Sequence, residues 1–481
     1  MIQCKTLKIK ILHKKKKKKG GGLNLYSSNQ SNLDQRSITK DCHTDNLTLN
    51  NDYGKRMHAL ISRLYKIPRS ITGDGFRDSL DIIDEAIGGG LERFSIPSGT
   101  QVYDWRVPPE WVINDGYIIT PDGDKICEFK KHNLHILNYS APINMRLSLD
   151  ELKQHIYTIP HMPTAIPYVT SYYERRWGFC MSDEQLCSLK DGEYHAFIDS
   201  KFKEDGELNY AQIIIPSTIK NDKEILISAY LCHPQMANNE LSGPAIWCEL
   251  VKFVKNLKYR RYNYRFVIAP ETIGSICYIN RNFETLKSKV VAGFVLSCIG
   301  DDRDYSVVLS PDENSLSDIA TLHTIKHITN NPKIYPFLYR GSDERQYNTP
   351  NLNLGVTTIC RSLFGEFDEY HTSLDDLDFV TPTGLEGGFN YARNLIENLE
   401  INTKYQLRTT CEPNLGSRGL MSTLSRSGIH NYTILNFLAY CNGKRSVIEI
   451  ANILGVEARS LKPIIDTLLE FELIRDMYER D

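Results

Sequence analysis

A histidine and a glutamate lie between an apolar run and a helix pattern. The run Glu224–Leu231 predicts a buried strand, and Leu241–Val254 carries apolar residues at helical spacing. His233 and Glu240 therefore follow the carboxyl end of the strand, where open α/β sheets place their chemistry. An imidazole and a carboxylate at this position predict either a metal site or a plain hydrogen-bonded pair.

Four further segments place acidic or histidine residues just after an apolar run or at the start of a helix. These residues are Glu271, Asp301, Asp343, His371 and Asp375. Because the carboxyl ends of parallel strands meet at one edge of a sheet, we expect these side chains to share a cleft with His233.

The order of these motifs resembles the zinc aminopeptidase fold, which glutaminyl cyclases share. The motifs are His233, Asn239–Gly243, Glu271–Ser275, Ser342–Asp343 and His371–Asp375. A closer resemblance runs from about Met57 to the carboxyl end and is to aminopeptidase-like proteins associated with bacterial polysaccharide-biosynthesis gene clusters. It implies an α/β fold with a mixed sheet flanked by helices, a β-rich insert and a C-terminal winged helix.

The resemblance also indicates how many metal ions to expect. Zinc aminopeptidases hold two, but here the bridging acid position falls on Asn239, the Glu-Glu pair is Pro270-Glu271, and the Asp of the next strand falls near Ser297. Two ions need more anionic ligands than these positions leave. The resemblance therefore implies a single zinc ion.

A catalytic zinc takes three protein ligands and keeps a fourth position for water. We predict that His233, Glu240 and His371 are these ligands. Glu271 is the predicted general base, which takes the proton of the zinc-activated water. An alternative is that Glu271 only stabilises a helix through its dipole.

The remaining polar residues receive supporting roles. Asp343 and Arg345 are predicted to bind the amino and carboxylate ends of a substrate. Asn239, Asp301 and Asp375 are predicted to lie behind the ligands, with Asp375 holding the other ring nitrogen of a ligand histidine. The alternatives are a helix cap at Asp343 and a side-chain-stabilised turn at His371–Asp375.

The chain divides into four predicted segments. Residues 1–55 contain the lysine run Lys14–Lys19 and predict a disordered tail. Residues 56–100 with 163–405 predict the α/β domain, 101–162 an inserted β-rich domain, and 430–481 a winged helix. From Asn431 onward six Lys or Arg face eight Asp or Glu, which favours docking or homo-oligomer formation over nucleic-acid binding.

The composition of the 481-residue chain fits this interpretation. A net charge of -2 gives no pull toward nucleic acid or membrane, and the twelve cysteines form no CxxC pair. No apolar run approaches the ~18 residues of a membrane helix. We predict a cytoplasmic zinc hydrolase acting on a small peptide-like or amino-sugar amide substrate. The alternatives are a non-catalytic binding or scaffold protein on the same fold, and a transcription regulator with a ligand-binding α/β domain.

Overall fold

The computed structural model describes residues 52–420 and 428–478; for residues 428–431 it describes the backbone only. Most of the predicted tail, residues 1–51, lies outside the described residues. Residues 52–55, the last of the predicted tail, instead belong to a helix and its cap: Asp52 caps the helix that begins at Tyr53.

The described residues contain twelve α-helices and nineteen strands, besides short 3-10 and π-helical turns. The helices are α1 (Tyr53–Leu64), α2 (Asp74–Ala86), α3 (Leu149–Lys153), α4 (Asp183–Cys187), α5 (Ser242–Asn256), α6 (Ile273–Lys289), α7 (Leu316–Ile325), α8 (Glu344–Tyr347), α9 (Pro382–Glu400), α10 (Gly428–Tyr440), α11 (Val447–Leu454) and α12 (Lys462–Glu470). The strands are β1 (Glu92–Pro97), β2 (Gln101–Val102), β3 (Trp105–Arg106), β4 (Glu110–Ile119), β5 (Lys125–Ile126), β6 (Ile143–Ser148), β7 (Ile156–Tyr157), β8 (Phe179–Cys180), β9 (Glu193–Lys203), β10 (Glu207–Ile215), β11 (Glu224–Tyr230), β12 (Asn263–Ala269), β13 (Val290–Leu296), β14 (Ser306–Val308), β15 (Lys333–Tyr335), β16 (Val356–Cys360), β17 (Lys404–Leu407), β18 (Asn442–Ser446) and β19 (Ile474–Asp476).

An eight-stranded mixed sheet in the order β1-β10-β12-β11-β13-β16-β14-β15 forms the main domain. Its central strands β12, β11, β13 and β16 run parallel, so their carboxyl ends meet at one edge. Strand β11 is buried along its whole length: Ile225 and Ile227 face the core that holds α5, while Leu226 faces the core that holds α6. Burial on both faces explains why its sequence is a continuous apolar run.

The inserted β-rich unit is larger than the predicted range 101–162. Its sheet has the order β5-β4-β9-β6, and the central strand β9 lies at Glu193–Lys203, well past residue 162. Pairing of β9 with β4 and β6 buries Ile118, Leu147 and Tyr194 in a separate small core. The predicted range does not include β9, because strand pairing over this distance leaves no local signal.

The C-terminal winged helix begins earlier than the predicted residue 430. Strand β17 starts at Lys404 and pairs with both β18 and β19, so it belongs to this unit. Arg261 of the main domain forms a buried ion pair of 2.8 Å with Asp476 of β19.

Within the described residues, none of the helices combines the length and apolar character that crossing a bilayer requires.

His323 of α7 connects the winged helix to the main domain. Its Nε2 accepts a 2.8 Å hydrogen bond from the backbone N–H of Ala458, and its Nδ1 lies 2.7 Å from Oδ1 of Asn452. Burial lowers the pKa of His323 to about 4, so the ring is neutral at pH 7. A protonated ring would have no lone pair for Ala458.

Acid is therefore expected to weaken this contact. The pKa of His323 in the folded protein lies below its unfolded value of about 6.5. The stabilisation from this contact is therefore complete above pH ~6.5 and is lost as the pH falls toward 4. Amide hydrogen exchange at Ala458 and thermal unfolding, measured at pH 7 and 4.5, test this expectation. His323→Gln, which keeps an acceptor without titrating, is the control and should show less acid sensitivity; equal sensitivity would contradict the expectation.

Candidate active site

The segment after β11 forms an irregular turn that carries His233 and Glu240. The backbone of Gln235 is left-handed (φ +48°), and Ala237–Leu241 form one π-helical turn before α5. Gly243 permits the close packing of α5, because a Cβ there would lie 2.5 Å from the carbonyl oxygen of Leu296.

Asp375 fixes the π-helical turn. Its Oδ1 accepts backbone N–H bonds from Ala237 (3.1 Å) and Asn238 (2.5 Å), and its Oδ2 accepts one from Asn239 (2.8 Å). The carboxylate thus supplies the acceptors for amides at the start of a helical segment. This role differs from the predicted one, in which Asp375 holds a ring nitrogen of a histidine.

His233, Glu240 and Arg69 form a buried polar chain. Nδ1 of His233 lies 3.0 Å from Oε2 of Glu240, and Oε1 of Glu240 lies 3.6 Å from Nε of Arg69. Burial and the positive charge of Arg69 lower the pKa of His233 to about 3, so its ring is neutral. Burial raises the pKa of Glu240 to about 8, although Arg69 opposes this change.

His371 comes from a segment 138 residues farther along the chain and lies beside His233. The two ring centroids are 5.3 Å apart, and the ring of Tyr168 contacts both, at 5.0 Å from His233 and 5.2 Å from His371. Tyr370 stacks on His371 at 3.9 Å. Nε2 of His371 is buried without a hydrogen-bond partner.

A compact group of metal-type donor atoms is present among the described residues. Cys232, His233 and Glu240 each offer one such atom, and these atoms lie within 4.8 Å of one another. His371 is outside this compact group. Cys232 is a candidate that the sequence did not indicate: a strand continued through it would point residues 232 and 233 to opposite faces, but β11 ends at Tyr230.

Glu271 and Asp343 form an acidic pair at the start of α6. The hydroxyl of Ser342 donates a 2.8 Å hydrogen bond to Oε1 of Glu271, and Oδ1 of Asp343 accepts from the Thr272 N–H (2.7 Å) and the Ser275 hydroxyl (2.8 Å). Oδ2 of Asp343 is buried without a partner. Burial and their mutual repulsion raise the pKa of the Glu271 carboxyl, and burial raises that of Asp343.

The other predicted residues have defined partners. One amine of the Arg345 guanidinium donates to Oγ1 of Thr272, while its Nε is buried without a partner. Asp301 accepts from the side-chain amide of Asn238 (3.0 Å) and from the hydroxyl of Ser362 (2.8 Å). Oδ1 of Asn239 accepts from the Tyr230 hydroxyl at 3.0 Å. Asp301 and Asn239 therefore support the loops around the histidines.

Backbone strain is concentrated at this site. Non-glycine residues in the left-handed region are found in each of four contributing segments: Gln235, Thr272, Cys298 and His371. The β-branched Thr272, with φ +66°, is the least expected of these. Such strain persists only where surrounding contacts enforce it, and it clusters at functional sites.

The fold and the site together define an aminopeptidase-like α/β protein with a winged helix. A family model described as a domain of unknown function (DUF4910) matches residues 58–402, and a winged helix-turn-helix model matches 403–476. The chain belongs to the DUF4910 family. Both the predicted family resemblance and the predicted fold class are confirmed.

Comparisons with individual proteins agree with this assignment. A relative from Clostridium acetobutylicum, named "Putative polysaccharide biosynthesis protein with aminopeptidase-like domain", is 38% identical over 88% of this chain and 96% of the relative. A crystal structure from the same organism, titled as a "putative peptidase", has a TM-score of 0.83 at 37% identity, covering 89% of this chain and 98% of that chain. A zinc aminopeptidase from Bacillus subtilis shares the fold, with a TM-score of 0.52 at 14% identity over 70% of this chain and 93% of that one.

Proposed function

We propose that the protein is a zinc-dependent hydrolase of amide or peptide-like bonds that acts in polysaccharide biosynthesis. The observation that carries this proposal is the meeting of His233 and His371, whose rings lie 5.3 Å apart although they are remote in sequence. The name of the relative and the aminopeptidase fold support the reaction class.

Two of the predicted ligands carry a buried donor atom that a cation would satisfy. Oε1 of Glu240 and Nε2 of His371 are both buried without a hydrogen-bond partner, and such atoms are costly unless something satisfies them. Sγ of Cys232 instead accepts a 3.3 Å hydrogen bond from the Glu271 N–H. We therefore assign zinc to His233, Glu240 and His371, with Cys232 outside the ligand set.

Zinc bound there would lower the pKa of a water molecule and polarise a substrate carbonyl. The residues of the chain supply the remaining functions. Ser342 fixes Oε1 of Glu271, so that Oε2 is the oxygen that accepts the proton of the nucleophile. The raised pKa of Glu271 suits a group that both takes up and returns a proton near neutral pH.

Asp343 and Arg345 are proposed to bind the substrate. The unpartnered Oδ2 of Asp343 suits a substrate amine, and the unpartnered Nε of Arg345 suits an anionic or carbonyl oxygen. A peptide-like or amino-sugar amide substrate contains both kinds of group.

A non-catalytic scaffold is the second candidate function. The observation that favours it is Arg69, which places a buried cation 3.6 Å from Glu240, the only carboxylate in the assigned ligand set. Arg69 could balance the charge of Glu240 without any metal ion.

The winged helix is proposed to serve as a docking module. α12 and the main-domain segment 257–261 line a shared cavity of about 1080 Å³, so one face of α12 is turned toward the main domain. In helix-turn-helix proteins the second helix must enter the DNA groove. We infer that nucleic acid is not a partner and that any homo-oligomer forms through the outer face of this unit.

Metal analysis of the purified full-length protein tests the proposed function. We expect about one equivalent of zinc after dialysis, and a loss of most of it in both His233→Ala and His371→Ala. Cys232→Ser should keep the metal, as should His135→Ala, which removes an imidazole from the insert. A wild-type protein without zinc, or histidine variants that retain it, would favour the scaffold.

A further inference from the structure

A small cavity lies beside the candidate active site. Its volume is about 310 Å³, and its lining includes Arg106, Tyr172, Tyr173, Arg175, Phe202 and Glu204. This is the lower end of the range for pockets that hold small ligands, about 300–1,000 Å³. The cavity belongs to the junction between the insert and the main domain.

Two tyrosines connect this cavity to the histidines. Tyr172 lines the cavity, and its hydroxyl lies 2.5 Å from the hydroxyl of Tyr168. The ring of Tyr168 in turn contacts both His233 and His371. A ligand in the cavity would therefore lie next to the reaction site proposed above, separated from it by these two rings.

Large aromatic side chains at the rim of the cavity are exposed to solvent. Tyr173 is 56% exposed and Trp105 is 37% exposed, and their rings meet edge to face at 5.9 Å. Tyr103, in the same β2–β3 hairpin as Trp105, is 55% exposed. Neighbouring exposed aromatics of this size mark a binding surface more often than a random part of the surface.

Two charged groups of the cavity, those of Arg175 and Glu204, are paired with each other. The guanidinium of Arg175 lies 3.5 Å from the ring centroid of Phe202 and 3.3 Å from the carboxylate of Glu204. A matched pair of charges gives little attraction to a charged ligand, but its N–H groups and oxygens can hydrogen-bond to hydroxyls. Flat aromatic faces beside such groups suit a ring that has one apolar C–H face and a polar edge.

These features are the ones that a pyranose ring requires. We propose that the cavity and its aromatic rim bind a neutral or N-acetylated saccharide unit, and that this unit positions a glycan substrate for hydrolysis at the neighbouring histidines. The positioning role rests on the proposed function, whereas saccharide binding does not depend on zinc.

Ligand-observed saturation-transfer NMR on the full-length protein tests saccharide binding. The probes are maltose, N,N′-diacetylchitobiose and the peptide Ala-Ala-Phe, each measured with zinc and after removal of metal by a chelator. We expect saturation transfer to at least one of the two sugars in both conditions. The variant Trp105→Ala/Tyr173→Ala should weaken binding at least about fivefold, because it removes the stacking surface.

Controls separate this proposal from its alternatives. Tyr432→Ala removes an exposed tyrosine of the winged helix and should bind like the wild type. Because Trp105 and Tyr173 lie at the surface, the double variant should keep the wild-type far-ultraviolet circular dichroism and thermal unfolding midpoint; if it does not, Arg175→Ala replaces it. No transfer to either sugar, undiminished transfer in the variant, or transfer only to an Ala-Ala-Phe peptide would overturn the proposal. Binding that survives without zinc would support it even if the hydrolase proposal failed.

Discussion

Glu271→Gln is expected to reduce kcat by about 10²- to 10⁴-fold while leaving bound zinc unchanged, since general-base catalysis contributes a factor of this size. The side-chain amide of Gln keeps an oxygen for the Ser342 hydroxyl, which donates to Oε1 of Glu271 at 2.8 Å, but it cannot take up a proton. Hydrolysis of an aminoacyl p-nitroanilide, together with metal analysis, measures both effects.

The pH profile adds an independent test of Glu271. Its carboxyl has a raised pKa because of burial and the nearby Asp343, and a general base works only when ionised. In the wild type, kcat/KM should therefore rise with pH through this raised pKa. Ser342→Ala should lose activity by a smaller factor, on the order of tenfold, because it only releases the carboxylate. A Glu271→Gln variant with the wild-type rate would remove Glu271 from the mechanism.

Asp375→Ala is expected to destabilise the protein by roughly 3 kcal/mol or more. The substitution leaves the backbone N–H groups of Asn238 and Asn239 without their acceptor and leaves that of Ala237 with only the backbone carbonyl of residue 375. Each buried unsatisfied group costs about 1–3 kcal/mol. Zinc affinity should fall as well, because the turn that these amides anchor carries Glu240.

Urea denaturation at pH 7 measures the loss of stability. The stability of Asp375→Asn should lie between those of Asp375→Ala and the wild type. The amide oxygen of Asn can still accept hydrogen bonds, but its amide nitrogen is a donor and cannot accept one from a backbone N–H. Asp368→Ala, at an exposed position of the same segment, should change stability little. An Asp375→Ala protein with an unchanged unfolding midpoint would show that the π-helical turn does not need this carboxylate.

The sheet and its site edge could be predicted because the signals are local. Apolar runs such as Glu224–Leu231 and Val356–Cys360 predict buried strands, and polar residues directly after such runs must lie at the sheet edge. The convergence of His233 and His371 on one cleft follows from this rule, and the structure brings their rings within 5.3 Å of each other.

The parts that could not be predicted depend on long-range or backbone features. The partners of Asp375 are amides 136 to 138 residues away, and the pairing of β9 with β4 gives no sequence pattern near residue 162. Left-handed backbone at Thr272 has no sequence signal, because β-branched residues rarely adopt it. Arg69 beside Glu240 was missed for the same reason: the two residues meet only through the fold.

Anomalous X-ray scattering at the zinc absorption edge, from crystals of the full-length protein grown with zinc, tests the central claim most directly. The account predicts one strong peak in contact with His233, Glu240 and His371, at about 2.0–2.2 Å from their donor atoms. A cleft without a peak, or a peak elsewhere while His233 keeps its hydrogen bond to Glu240, would contradict a catalytic zinc and leave the scaffold function in its place.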